Sequence, residues 1–221
     1  MRTTSSFEQL GPLAAFATGL AGLAYSISFS LYLHHATRGS AYANALLLVA
    51  GGLASTLAFT AVYERLRETD PPLALWGFVL ALVGAFGAAL HGGYDLANLA
   101  NPPKTLAADL PSSVDPRGLG TFALTGLAVA VAGGLILRGH RLPRGLGLLG
   151  LLAAALLVFV YVGRLVILDP KSPGLLAAAV ASGYVVNPLW FGWLGLSLRR
   201  GYRLPQEGAG TAASVSASGA R

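Results

Sequence analysis

Long apolar runs broken by short polar connections make up nearly all of this chain. Spanning a hydrocarbon core of about 30 Å takes roughly 20 apolar residues at 1.5 Å each. Six runs qualify: residues 12–33, 43–63, 73–93, 118–137, 145–168 and 174–198. Most links between them are short, so sequential helices should pack as antiparallel neighbours. The predicted fold is all-α, a bundle of six transmembrane helices over residues 1–204 with a longer loop (94–117) between helices 3 and 4. Three Asp-Pro pairs, Asp70-Pro71, Asp115-Pro116 and Asp169-Pro170, precede apolar runs. Asp can cap free amides and Pro tolerates the first helical turn, so each pair predicts a helix start. The segment 205–221 is small and polar with nothing to bury, which predicts a disordered tail.

Within the runs, small residues recur at helical spacing. The first carries Thr18, Gly22, Ser26, Ser30 and His34 every four residues. The third carries Gly77, Ala81, Gly84, Ala88, His91 and Asp95, and the fifth Gly147, Gly150, Ala154, Leu157, Tyr161 and Arg164. Such stripes let membrane helices approach closely. All three lead toward one membrane face and end in a polar residue, His34, Asp95 or Arg164, so convergence there is expected.

Composition agrees with a membrane setting. Only 11% of residues are charged, against about 25% in soluble domains, and mean hydropathy is +0.63. The net charge of +6 comes largely from arginines just beyond the apolar runs. That placement points to topology and lipid headgroups, not to nucleic acid. Ten Lys/Arg residues fall on one side of the membrane and five (Arg38, Lys104, Arg117, Arg164, Lys171) on the other. The excess predicts a multi-pass cell-membrane protein with both termini cytoplasmic and the 94–117 loop outside. No cysteine is present, so disulfides, thiol catalysis and thiolate metal sites are excluded. The N-terminus lacks a small-residue cleavage site, and the first run is read as a retained helix.

The candidate ligand-binding residues are His91, Asp95, Asp115 and Arg164. His91 and Asp95 are four apart, hence on one face of a helix. His91 lies roughly 27 Å along its run, near the outer interface. Ionisable groups at such depth are costly and tend to be functional, although Asp95 could equally orient His91 and hold the loop. Arg164 lies at similar depth and could bind an anion, pair with Asp95, Asp115 or Asp169, or snorkel to headgroups. Arg117 and Asp169 are read as charge partners or parts of a lid. Asn187-Pro188 breaks the hydrogen-bond ladder of the sixth run and predicts a kink. Trp190 and Trp193 are expected as interfacial anchors.

His34, His35, His91 and Asp95 fall near one face, where imidazoles could hold haem or zinc. No H-E-x-x-H or paired-histidine spacing supports that, so no metal site is assigned and the cofactor is left unknown. Gly145-Leu-Gly-Leu-Leu-Gly150 spells G-x-G-x-x-G, but it opens an apolar helix with no strand before it, against dinucleotide binding. Ser26, Ser28 and Ser30 lack a nearby base and read as helix-packing residues. The segments H-G-G-Y-D-L-A-N (91–98), V-D-P-R-G-L (114–119) and G-R-L-V-I-L-D-P (163–170) resemble those of uncharacterised bacterial multi-span proteins of about six helices. The resemblance implies only that these segments form a unit; it brings no activity. The leading functional expectation is an integral membrane protein that binds or transports a small solute or ion through an outward-facing polar site. The alternatives are an accessory subunit packing against a membrane-protein partner or its own copies, and a metal- or haem-dependent membrane enzyme.

Overall fold

A computed structural model describes residues 6–35, 37–102, 117–167, 169 and 172–201. Asp115 and the tail from Pro205 lie outside the described residues. Among the described residues, seven α-helices build six spans and there is no strand. Four spans include one α-helix each: α1 (Ser6–His35), α2 (Arg38–Leu66), α3 (Pro71–Ala100) and α5 (Arg144–Ile167). The fourth opens as a π-helical segment, Leu119–Leu124, and continues as α4 (Thr125–Arg138). The sixth is α6 (Pro173–Val180), a π-helical segment (Ala181–Val186) and α7 (Asn187–Gly201). All six spans are long and apolar enough to cross a membrane, so this is a multi-pass membrane protein.

Local chemistry explains where the helices begin and break. Asp70 caps α3, its carboxylate accepting from the Leu73 amide at 3.2 Å with Pro71 at the first turn. The sixth span starts at Pro173, after Ser172, and not at Asp169-Pro170 as expected. Pro188 has no amide, so one rung of the seventh helix's ladder is missing. The ladder just before it is offset by a residue, the Asn187 amide bonding to the Ser182 carbonyl. The expected break at Asn187-Pro188 therefore takes the form of a π-turn on its N-terminal side.

Consecutive spans pack side by side and α7 closes against α1, giving a ring of six in chain order. Its two ends differ. The arginine-rich end carries Arg65, Arg67, Arg138, Arg141, Arg144, Arg199 and Arg200; the histidine end carries His34, His91, Asp95, Arg117 and Arg164. The fully buried large side chains are Trp190, Leu135, Ile136, Leu146, Leu194, Leu198 and Val129, all in the arginine-rich half of their spans. Toward the histidine end the buried positions are mostly small or polar, among them Ser28, Asn44, Ala45, Gly92, Gly163 and Ser182. Exposed Leu13, Leu20, Leu90, Leu148 and Val166 cover the outside, where lipid tails would meet them.

Trp190 corrects the expectation of an interfacial anchor. It has no exposed surface, packs against Phe59 and Phe191, and donates its indole N–H to the Leu146 carbonyl at 3.2 Å. A buried indole needs such an acceptor.

Candidate functional site

The site is built where α3 passes the start of the fourth span. The two backbones touch there: a Cβ on Gly87 would come within 2.7 Å of the Gly120 Cα, and one on Gly120 within 2.9 Å of the Gly87 Cα. Only glycine permits that approach. It sets His91, one turn beyond Gly87, against Thr121, the neighbour of Gly120.

Four residues then form one connected chain, linked through three side-chain contacts and the Arg117 backbone carbonyl. His91 Nδ1 lies 3.2 Å from Thr121 Oγ1, and Thr121 Oγ1 donates to the Arg117 carbonyl at 3.1 Å. Arg117 donates from Nη1 to Asp95 Oδ1 at 3.0 Å. Asp95 Oδ2 faces His91 Nε2 at 3.8 Å, which closes the loop. The Arg117 guanidinium also lies over the Tyr94 ring, 4.3 Å from its centroid. His91, Tyr94 and Arg117 each have further partners besides these.

Hydrogen counting places one proton when both Thr121 bonds are made together. A threonine hydroxyl has a single hydrogen, and Thr121 uses it on a carbonyl, which can only accept. The bond to His91 therefore has Nδ1–H as its donor. His91 Nε2 consequently presents to Asp95 either a lone pair or, in the imidazolium, an N–H. The first places two acceptors face to face; the second makes an ion pair. Exposure is graded along the chain: the His91 side chain is 13% exposed, Arg117 24% and Asp95 36%. A nearly buried imidazole thus sits behind a partly open carboxylate.

The sequence expectations resolve unevenly against this geometry. His91 and Asp95 do lie together on one face of α3. They are inside the helix, however, which runs on to Ala100, and not at the edge of a loop starting at residue 94. Asp95 pairs with Arg117, not with Arg164. Arg164 is half-buried and makes no ion pair among the described residues, and Asp169 lies exposed beyond the end of α5. The three stripes end together at the histidine end, with helices 1 and 5 each two places from α3 in the ring, and His34 bonds the Ser30 carbonyl of its own helix at 2.7 Å. Among the described residues, no three histidines or carboxylates come together as metal ligands.

Sequence reasoning missed Thr121, Tyr94 and Arg38. Arg38 donates to the Leu99 carbonyl at 3.2 Å, placing a cation on the free carbonyls at the end of α3. Their only signals were local: Tyr94 adjoins Asp95, and Thr121 is one helical turn past Arg117. The serines of α1 also do more than fill space. Tyr184 donates to the Ser26 carbonyl at 2.9 Å, which spends its hydrogen, so Ser30 donates to Tyr184 Oη at 2.6 Å. Those two bonds pin the first and sixth spans together beside the π-turn. Compared with protein-family models, curated proteins and solved structures, the chain matches none.

Proposed function

We propose that this protein sits in the cell membrane and binds, and passes, a small solute or ion at its histidine end. His91 and Asp95 are the ligand-handling pair, and Arg117, Thr121 and Tyr94 hold them in place. The arginine-rich end and both termini lie in the cytoplasm, following the positive-inside rule. The site then faces outward. One observation carries the reading: a nearly buried histidine, 3.2 Å from Thr121 Oγ1 through Nδ1, turns its other nitrogen to a partly exposed carboxylate 3.8 Å away. Ionisable groups at membrane depth mark ligand and ion paths. Among the described residues, the buried positions of that half are mostly small or polar, with Leu48, Leu157 and Leu175 the larger apolar ones, which supports an approach from the same end.

The test is thermal unfolding of purified protein in a mild detergent against chlorides of sodium, potassium, ammonium and magnesium, then sodium acetate and glycerol. Choline chloride at matched ionic strength is the reference. A site-bound probe at a hundred times its Kd stabilises by about 2.7 kcal/mol. At least one probe should do so in wild type and none in His91→Ala or Asp95→Asn. A set of probes that stabilises nothing, or variants that respond like wild type, removes the reading. A second polypeptide that co-purifies at fixed stoichiometry and covers this end would make it a docking surface instead.

A further inference from the structure

Charge pairing at the arginine-rich end is lopsided. Three acids whose side chains are described there are all paired with arginines of the second to fourth spans and their turns. Glu64 pairs with Arg67 at 3.0 Å, Asp70 with Arg138 at 3.9 Å, and Glu68 with Arg141. Arg65 is engaged as well. Arg144, at the start of α5, and Arg199 and Arg200, near the end of α7, are exposed and have no acidic partner among the described residues. Along the sequence the intervals around them hold no acid: no Asp or Glu occurs between Asp115 and Asp169, or between Asp169 and Glu207.

These arginines flank one seam. Trp193 of α7 lies over Gly145 of α5, close enough that a Cβ on Gly145 would come within 2.5 Å of the indole. The indole is nevertheless 39% exposed, as expected of a ring at the level of lipid headgroups. Arg199 and Arg200 lie roughly 9–10 Å further along the helix axis, at 1.5 Å per residue. From Gly145 and Trp193 toward the membrane interior, exposed Leu148 and Leu152 continue along α5, and exposed Leu189 along α7. Those positions follow helical spacing, so an apolar surface leads away from the cationic edge.

We propose that the α5–α7 seam binds one anionic phospholipid. Its phosphate is held by Arg144, Arg199 and Arg200, its glycerol region lies against Trp193, and its acyl chains run along Leu148, Leu152 and Leu189. Each feature matches one part of the molecule: unpaired guanidiniums for a phosphodiester, an interfacial indole, and leucines at tail depth. A soluble phosphate ester would use only the first of the three.

Native mass spectrometry of full-length protein from mixed micelles of phosphatidylglycerol and phosphatidylcholine tests it. Wild type should retain one phosphatidylglycerol in preference to phosphatidylcholine. Arg144→Gln/Arg199→Gln/Arg200→Gln should lose that preference, by roughly fivefold for each basic group removed. Arg67→Gln/Arg138→Gln/Arg141→Gln removes the same formal charge from the same end and should keep the preference within about twofold. That second triple separates a built seam from general attraction. The proposal is overturned if both triples lose the preference equally, if the seam triple keeps it, or if glycerol 3-phosphate alone adds as well as the lipid. Thermal unfolding of each triple confirms that it is folded before its lipid count is read.

Discussion

The Gly87–Gly120 contact makes the most demanding prediction, because it links backbone packing to the polar site. A Gly87→Ala methyl would meet the Gly120 Cα at 2.7 Å, its carbonyl carbon at 3.0 Å and the Thr121 amide nitrogen at 3.3 Å. All three are backbone atoms, so no side chain can turn aside. Ordinary carbon–carbon contact is about 3.5–4.0 Å, so the start of the fourth span must retreat by about 1 Å. Thr121 follows Gly120 and goes with it. The His91–Thr121 bond, 3.2 Å in the native protein, would then open to about 4 Å, past any hydrogen-bond limit. Overpacking costs about 1–3 kcal/mol and the lost bond about 1 kcal/mol. Replacing a mid-helix glycine returns up to about 1 kcal/mol. The net expectation is destabilisation by about 1–3 kcal/mol. In a chain of this size that lowers the unfolding midpoint by roughly 2–4 °C per kcal/mol. Gly93→Ala is the internal control: it sits in the same helix, with nothing within 4 Å of its Cβ position. It should be neutral or slightly stabilising. Thermal unfolding of the three proteins in one detergent, followed by circular dichroism, reads the difference. Equal midpoints for the two variants, or a more stable Gly87→Ala, would refute the close-approach argument.

Two further predictions concern polar links between spans. Tyr184→Phe deletes the hydroxyl that joins the sixth span to Ser26 and Ser30 of α1, and should cost about 1–2 kcal/mol. Ser30→Ala should cost less, and the double variant should be no worse than Tyr184→Phe plus a few tenths of a kcal/mol, since both remove one shared bond; full additivity in thermal unfolding would argue that the two side chains do not meet. Arg117→Gln and Asp95→Asn should each destabilise by about 1 kcal/mol, discounted for the partial exposure of the pair. The double variant should lose less than the two singles together, and a double-mutant cycle showing no coupling would count against the ion pair.

What the sequence made legible is the part governed by hydropathy and local spacing. Six uninterrupted apolar runs gave six spans, Asp70-Pro71 marked the start of α3, and the four-residue step put His91 and Asp95 on one face. Hydropathy marks the membrane edge and not the helix end, which is why α3 continues past Asp95 through Leu96, Ala97 and Leu99. The partner of Asp95 was open because pairing between helices depends on their relative depth. Arg117 and Arg164 look equivalent from the sequence, and only the ring order puts Arg117 beside α3. Trp190 was misplaced for a similar reason: an indole in the inner half of a run looks interfacial until the neighbouring helix supplies the Leu146 carbonyl. Pro188 announced a break, but its effect on the ladder falls one turn upstream, where no residue signals it.

The π-turn in the sixth span has a mechanical consequence. On one side of it, α6 leans chiefly on α5; on the other, α7 is clamped between α1 and the aromatic core around Trp190. A rod that changes its support halfway behaves as two struts joined at a pivot, and the joint lies where the ladder is already offset. The α7 strut is anchored by the best-packed part of the molecule. The joint itself is tied to α1 by the Tyr184 hydroxyl, which bonds Ser26 and Ser30. The sixth span is thus footed in the aromatic core of the arginine-rich half and tied by the tyrosine latch at its joint, with α6 beyond the joint resting chiefly on α5.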